Sequence, residues 1–308
     1  MTDNEPGATR YARNGDVDIA YEDLGGAGGD PLLLVMGLGV SRFWWPQGLI
    51  DELISRGFQV AAFDQRDAGE STHLPDTGPG NPIVAVLRRR PGAYSAEDMS
   101  DDAIAVMDAL GWDSAHLFGA SMGGQLVQRI ALRHPDRVRS ITSSSSLPSD
   151  VGGLRGSRYV HLGQVARFSR MKFPEGRDGD IALGLALARA VASPGYPFDE
   201  AAARARIERD AVSGVRDTRA QSRQVGAKWH GGRLAQLRMP ALVLHGDADP
   251  VLRPAAARRT AAAIDGAKLV ILPGVGHDLP AAVWPQVAGE VRALADRAQA
   301  LPSPATRA

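Results

Sequence analysis

The chain has 308 residues, 44% of them hydrophobic, and its 35 lysines and arginines balance its 35 aspartates and glutamates. This composition is ordinary for a globular protein of one large or two modest domains, and it is too apolar for a disordered chain. Zero formal net charge argues against bulk attraction to nucleic acid or to an anionic membrane. Because the chain contains no cysteine, disulfide scaffolds, thiolate zinc sites, iron–sulfur clusters and cysteine nucleophiles are excluded.

The termini and the apolar runs indicate a protein without a membrane segment. The longest apolar stretch, residues 32–40, is much shorter than the roughly 20 residues that a membrane helix needs. The opening MTDNEPGATR has neither the basic start nor the apolar segment of a secretory signal. We therefore expect a cytoplasmic protein with flexible ends at residues 1–7 and 301–308.

The first predicted element is a β-hairpin. The dipeptide Asn14-Gly15 separates two short alternating runs and favours a tight turn, because both residues can adopt positive φ angles. Six short apolar runs then predict buried strands, since an uninterrupted apolar strand is covered on both faces. These runs span residues 32–36, 60–63, 115–118, 138–142, 241–244 and 269–272.

Helical patterns alternate with these strands. Apolar residues recur at helical spacing in residues 98–110, 122–134 and 279–300. The alternation predicts an α/β fold, a mostly parallel sheet with helices on both faces. It stops at residues 149–236, which contain Ala-rich helical segments, scattered aromatic residues and no convincing strand. We expect a helical cap there, inserted into a core of residues 8–148 and 237–300.

A serine between small residues is the first candidate functional position. Residues 119–124 read GASMGG, follow a predicted strand and open a predicted helix. At such a sharp strand-to-helix turn Ser121 is forced outward, and small neighbours are needed because larger side chains would clash with the adjoining strand and helix. The first N–H groups of the helix and its positive dipole end favour negative charge beside this serine.

Two later loops carry the partners that a serine nucleophile needs. The run LVLHGDADP ends a strand and brings Asp247 and Asp249, and the run LPGVGHD places His277 in a glycine-rich loop. A serine hydroxyl needs a base with a pKa near 7, which histidine supplies, and the histidine needs a carboxylate to orient it. Serine, carboxylate and histidine in this chain order predict a catalytic triad, with His245 as a second candidate base.

Acyl transfer also requires two N–H groups directed at the developing oxyanion. We expect one from Met122, which follows the nucleophile, and one from Leu38, in the loop GLG after the first central strand. Trp44 and Trp45 come shortly after this loop. They either line an apolar substrate pocket or pack in the core.

These motifs resemble those of α/β-hydrolases over about residues 30–280. Within that superfamily the chain is similar to actinobacterial esterases of the aclacinomycin methylesterase type and to serine hydrolases called non-haem haloperoxidases. Two positions differ from many superfamily members, Met36 in place of His and Asp67 in place of Gly, and both suit this branch. The runs that carry the resemblance are LLLVMGLG (32–39), DQRDAGES (64–71), YSAEDM (94–99), GASMGGQ (119–125), HGDADP (245–250) and PGVGHDLP (273–280).

The resemblance implies that Asp249 rather than Asp247 is the triad acid, because the family pattern reads Gly-x-x-Asp-Pro. It implies hydrolysis of a carboxylic ester through an acyl-enzyme at Ser121, without a metal or other cofactor. The scattered aromatic residues of the expected cap predict a small-to-medium, largely apolar substrate. Alternatives are cofactor-free perhydrolysis, carbon–carbon bond hydrolysis by the same triad, and non-hydrolytic ligand binding. Haloalkane dehalogenases and epoxide hydrolases carry Asp at the nucleophile position, and proline iminopeptidases usually carry Trp in place of Met122, which disfavours all three.

Motifs for other chemistry are absent from the sequence. It contains no H-E-x-x-H, EF-hand or phosphate-loop pattern, and GLGVS at 37–41 lacks the full dinucleotide-binding spacing. We interpret Asp64 and Arg66 as braces of the turn that follows their strand, rather than as substrate-binding groups. The expected partner is a small-molecule ester, with no nucleic acid and no membrane, and the oligomeric state is left open.

Overall fold

The computed structural model describes residues 7–75, 92–152, 154–210 and 217–300. One eight-stranded sheet, in the order β1-β2-β4-β3-β5-β6-β7-β8, lies at its centre. β2 pairs antiparallel with β1 and β4, and the other neighbouring pairs are parallel, which confirms the predicted mostly parallel sheet. The strands are β1 (Arg10–Asn14), β2 (Val17–Gly25), β3 (Asp30–Val35), β4 (Phe58–Phe63), β5 (Ala115–Ala120), β6 (Val138–Ser144), β7 (Ala241–Gly246) and β8 (Lys268–Leu272).

The opening hairpin is confirmed, but its turn lies one residue later than predicted. Asn14 is the last residue of β1 and pairs with Val17, so Gly15 and Asp16 form a two-residue loop. Of these two only the glycine has a positive φ, 61°, and a glycine at the first loop position is sufficient for one kind of tight hairpin turn. The Asn14 side chain donates a hydrogen bond to Asp102 Oδ1 at 2.9 Å instead.

Helices cover both faces of this sheet. Apolar residues of α1 and α10 pack on one face, and those of α2 and α3 pack on the other. In the part of the chain that the structure describes, the helices are α1 (Gln47–Ser55), α2 (Ala96–Ala109), α3 (Met122–Arg133), α4 (Leu154–Ser157), α5 (Leu162–Phe168), α6 (Arg177–Val191), α7 (Glu200–Asp210), α8 (Thr218–Gly226), α9 (Ala255–Ala263) and α10 (Trp284–Gln299).

Most of the apolar runs are buried, as predicted, but the run at residues 269–272 is only partly buried, because β8 is an edge strand of the sheet. In β3, Leu33 and Val35 belong to the core that includes α2 and α3, whereas Leu32 and Leu34 belong to the core that includes α1 and α10. Successive side chains of a strand point to opposite faces, so a strand covered by helices on both sides needs apolar residues at every position.

Helices α4 to α8 lie between β6 and β7, in the segment predicted to be a cap. The described residues of 149–236 contribute no strand to the sheet, only an isolated bridge between Val160 and Leu252. Among the helices that the structure describes, none is both long and apolar enough to cross a membrane. The division into core and cap stays a prediction, and the predicted flexible ends lie, apart from Gly7, outside the described residues.

Candidate active site

Ser121 lies at the junction of β5 and α3. The strand ends at Ala120 and the helix begins at Met122, so a single residue makes the turn. Its backbone has φ 55° and ψ −120°, a conformation that residues other than glycine rarely adopt. The Ser121 N–H donates a hydrogen bond to Ser144 O in β6 at 2.9 Å, which anchors the strained residue to the neighbouring strand.

The small residues around Ser121 are required by space, as the sequence predicts. A Cβ atom added at Gly119 would lie 2.1 Å from Gly123 O, and one added at Gly123 would lie 2.0 Å from Val35 O. Both distances are far below van der Waals contact. The helix and the two strands therefore approach one another closely only because these positions are glycine.

Replacing Gly123 by alanine is expected to destabilise the protein by about 3 kcal/mol, because the backbone of β3 cannot move away without disturbing the centre of the sheet. Gly289→Ala in α10 is the matched control, since a Cβ there meets no atom within 4 Å. We expect the control to be neutral or slightly stabilising, because alanine has the higher helix propensity. Urea unfolding measures both changes, and equal midpoints for the two variants would contradict the explanation.

Three side chains that are distant in sequence meet at the carboxyl edge of the sheet. His277 Nε2 lies 2.9 Å from Ser121 Oγ, and His277 Nδ1 lies 2.7 Å from Asp249 Oδ2. The other carboxylate oxygen, Oδ1, accepts the N–H groups of Val251 at 2.7 Å and Leu252 at 2.9 Å. The carboxylate is fixed from both sides, and it can hold the imidazole in the tautomer that leaves Nε2 free to accept the serine proton.

The surroundings of Asp249 favour its charged form. Burial acts to raise the pKa of this carboxyl, but nearby His277, its hydrogen bond and the Leu252 N–H outweigh burial and hold the pKa below its ordinary value. A carboxylate that stays ionised can stabilise the imidazolium that forms during proton transfer.

The two neighbouring candidates have other partners. His245 is fully buried, and its Nε2 donates to Leu252 O at 3.1 Å and lies 3.4 Å from Asp249 Oδ2. Burial lowers its pKa and so favours the neutral ring, although the nearby Asp249 acts in the opposite direction. Asp247 Oδ1 accepts the N–H of Gly274 at 2.7 Å and braces the loop that carries His277. The structure brings His277, not His245, to hydrogen-bond distance of the serine.

The loop that follows β3, residues 36–40, passes directly beside Ser121. A Cβ added at Gly37 would lie 3.2 Å from the serine Cβ. Among the described residues, neither the N–H of Leu38 nor the N–H of Met122 donates a hydrogen bond to a backbone carbonyl of a loop or turn. Both groups are therefore free to donate to a ligand, and the N–H of Met122 opens a helix, where it has no intrahelical partner.

The two tryptophans after this loop have different environments. Trp45 is only 3% exposed and packs edge-on against Phe118 of β5, with ring centroids 5.1 Å apart. Trp44 is half-buried, and its indole N–H donates to Asp210 Oδ2 in α7 at 2.6 Å. The burial of Trp45 favours the packing alternative for that residue, and the pocket role of both side chains stays a prediction.

The turn after β4 is held by buried ion pairs, in agreement with its interpretation as a brace. Asp64 pairs with the guanidinium of Arg42 and accepts the N–H groups of Arg42 at 2.6 Å and Glu70 at 2.8 Å. Arg66 donates two hydrogen bonds to Asp102 of α2, at 2.6 and 2.7 Å. The carboxylates of Asp64 and Asp102 thus each pair with an arginine of the fold.

Other residues that contact these loops were not predicted. Ser193, just after α6, accepts the N–H of Gly276 at 2.8 Å and donates to Asp278 at 2.5 Å. Gln224, in α8, accepts the N–H of Gly39 at 3.0 Å. Neither residue lies in a recognisable motif, so no sequence signal could have identified them. In the described ranges, no group of three or more His, Asp or Glu residues is arranged to hold a metal ion.

Comparison with known proteins is consistent with this geometry. The family model of the alpha/beta hydrolase fold matches residues 30–280. The rhodomycin D methylesterases DauP of Streptomyces sp. (strain C5) and DnrP of Streptomyces peucetius are each 28% identical to this chain, over 92% of its length and 96% of theirs. The crystal structure of the esterase RhEst1 from Rhodococcus sp. ECU1013 has a TM-score of 0.72 at 22% identity, over 94% of this chain and 98% of that one.

Proposed function

Because the chain belongs to the alpha/beta hydrolase fold family, we propose that it is a serine hydrolase that cleaves a carboxylic ester through an acyl-enzyme at Ser121. The observation that carries the proposal is the continuous hydrogen-bonded chain from Ser121 Oγ to His277 Nε2 at 2.9 Å and from His277 Nδ1 to Asp249 at 2.7 Å. A binding protein has no need for a serine, an imidazole and a buried carboxylate in this order.

The proposed reaction has two steps. Ser121 Oγ attacks the ester carbonyl carbon while His277 Nε2 takes the hydroxyl proton, and the tetrahedral intermediate collapses with release of the alcohol, which receives that proton. Water then attacks the acyl-enzyme, again giving a proton to His277, and the carboxylic acid leaves as the serine hydroxyl is restored. Asp249 stabilises the imidazolium in both steps. No metal or other cofactor is required.

The oxyanion of both intermediates is expected to bind the N–H groups of Leu38 and Met122. Two features support this assignment, namely the free N–H groups and the short approach of Gly37 to the serine. Donors that are fixed before the reaction cost no reorganisation when the negative charge develops. Each is expected to contribute about 3 kcal/mol to transition-state stabilisation.

We also propose that residues 149–236 form a cap over this site. His277 N–H donates to Val191 O at the end of α6 at 2.9 Å, and Gly39 N–H donates to Gln224 Oε1 in α8 at 3.0 Å. The inserted segment thus touches both the histidine loop and the 36–40 loop. This arrangement suits a cap that selects a small-to-medium, largely apolar substrate.

The proposed location of the enzyme is the cytoplasm.

Methyl esters are the proposed substrate class, because two relatives that match over most of the chain are named as methylesterases. The purified protein is expected to hydrolyse methyl esters of apolar carboxylic acids and p-nitrophenyl acyl esters without added metal. A fluorophosphonate probe should label one residue, Ser121, with loss of activity in proportion to labelling. A folded protein that neither turns over these esters nor reacts with the probe would refute the proposal.

A further inference from the structure

We propose that Gln224 is a positioning residue for the 36–40 loop, and that the ion pair of its neighbour Arg223 with Asp67 fixes it in place. This inference rests on the proposed function, since the loop carries the proposed oxyanion donor Leu38. It assigns a role in catalysis to α8, a helix of the inserted segment that contributes no atom to the triad.

The Gln224 amide joins two loops of the core. Its Oε1 accepts the N–H of Gly39 at 3.0 Å, and its Nε2 donates to Arg66 O at 2.8 Å. The residue is only 2% exposed, and its bond to Arg66 O is buried, whereas its bond to Gly39 is partly buried. A side-chain amide both donates and accepts, which a carboxylate or an aliphatic group of similar size cannot do. The glutamine therefore satisfies a backbone donor and a backbone acceptor at once.

These bonds hold the peptide that follows Leu38. The N–H of Gly39 belongs to the peptide plane whose carbonyl is that of Leu38, so holding it restricts rotation about the Leu38 backbone. At the other end of the loop, Gln65 Nε2 donates to Met36 O. The loop is thus anchored on both sides of the donor. Both anchors involve adjacent residues after β4. Gln65 itself bonds the loop, and Gln224, which bonds the other side of the loop, also bonds Arg66 O.

Space around the loop adds a second restraint. Gly39 has φ 66°, and a Cβ added there would lie 2.5 Å from Gln221 Cγ, so α8 presses directly on the loop. The left-handed backbone favours glycine at this position, and any larger residue would have to displace the Gln221 side chain. The conformation of the 36–40 loop is therefore set by α8 as well as by the strands.

A buried ion pair fixes α8 against the core. Arg223 Nε and Nη2 donate to the two carboxylate oxygens of Asp67 at 2.8 and 2.7 Å, and the side chains are 3% and 0% exposed. Asp67 also accepts the N–H of Leu74 at 2.8 Å and has φ 66°. Glycine would adopt this φ more easily, but it would remove the buried carboxylate that binds the guanidinium at two points and leave the more distant Asp217, 3.8 Å away. The ion pair explains why the chain has Asp67 where many superfamily members have glycine.

The experiment compares Gln224→Leu with Ser222→Ala. The control lies in the same helix, is equally buried and loses a hydrogen bond to Thr218 O, which is not part of either loop. For hydrolysis of a p-nitrophenyl ester, we expect Gln224→Leu to lower kcat about 10- to 100-fold, with KM within threefold of the parent, because a displaced donor acts mainly on the transition state. The control should keep kcat within twofold.

A boronic acid separates positioning from general loss of structure. Its tetrahedral serine adduct places one oxygen in the oxyanion site, so Gln224→Leu should weaken its inhibition in proportion to the loss of kcat/KM. If the leucine variant does not fold, Gln224→Glu replaces it. That variant keeps an acceptor for Gly39 N–H but loses the donor to Arg66 O, and kcat should fall at least threefold with KM unchanged.

Unchanged kcat in the Gln224 variants, or a loss confined to KM, would overturn the inference. An effect equal to that of Ser222→Ala would also overturn it. The parent enzyme separates this failure from failure of the proposed function. If the parent hydrolyses esters and is labelled at Ser121, a null result in the variants refutes only the role of Gln224. If the parent is inactive and unlabelled, the proposed function itself is wrong.

Discussion

Replacing Ser121 by alanine is expected to lower kcat/KM for a p-nitrophenyl or methyl ester by more than about 10⁴-fold. The variant loses the only oxygen that lies within hydrogen-bond distance of His277 Nε2 in the described residues, so no acyl-enzyme can form. The residual rate should be that of water attack assisted by the oxyanion donors and by binding alone. Steady-state kinetics and intact-protein mass after fluorophosphonate treatment measure the two effects.

The matched control for this substitution is Ser55→Ala. The Ser55 hydroxyl bonds Glu52 O at the exposed end of α1, which leads into the first residue of β4 and so lies at the sheet edge opposite Ser121. Turnover and labelling should therefore equal those of the parent. Circular dichroism should be the same for both variants. Retained turnover in a folded Ser121→Ala protein would mean that another residue or a bound water performs the reaction.

Replacing Asp249 by asparagine is expected to lower kcat by about 10⁴-fold while the fold is retained. Asparagine offers an N–H₂ group to His277 Nδ1, which favours the tautomer with the proton on Nε2. That nitrogen can then no longer accept the proton of Ser121. The loss should appear in kcat for both acylation and deacylation, because the same imidazole serves both steps. Stopped-flow assays with a p-nitrophenyl ester measure them separately.

Asp247→Asn tests whether the effect is specific to one of the two carboxylates. Asp247 Oδ1 accepts only the N–H of Gly274 among the hydrogen bonds of the described residues, and an asparagine oxygen can do the same. We expect this variant to retain kcat within about threefold, since its bond to the loop is preserved. Equal losses in both variants would contradict the assignment of Asp249 as the triad acid.

Local pattern predicted most of the elements. The strands were recognised because a parallel strand buried on both faces has apolar residues at every position, as β3 does with Leu32 to Val35. The turn at Ser121 was recognised because its glycines leave no room for a Cβ atom. The hairpin turn was misplaced by one residue, because Asn14 and Gly15 both tolerate positive φ and the sequence does not show which of them uses it.

Contacts between distant segments that carry no motif were beyond the reach of the sequence. The bonds of Gln224 to Gly39 and Arg66 join positions that are separated by 185 and 158 residues. An ordinary glutamine in an arginine-rich helix carries no sign of such a role. Trp45 shows the same limit. The sequence around a tryptophan beside a functional loop does not show whether its side chain lines a pocket or packs in the core, as Trp45 does on Phe118.

By itself, the amino-acid sequence determined the fold class and predicted Ser121 and His277 as members of a triad, because these inferences depend on periodicity, on glycine at close approaches and on the chain order of reactive groups. The choice of Asp249 over Asp247 came from the family resemblance. Only the tertiary structure decided which side chains position them. Hydrogen bonds and ion pairs between loops depend on distances of a few ångströms, which are set when the sheet and its helices pack together. The support of the 36–40 loop by α8 is therefore a property of the folded chain.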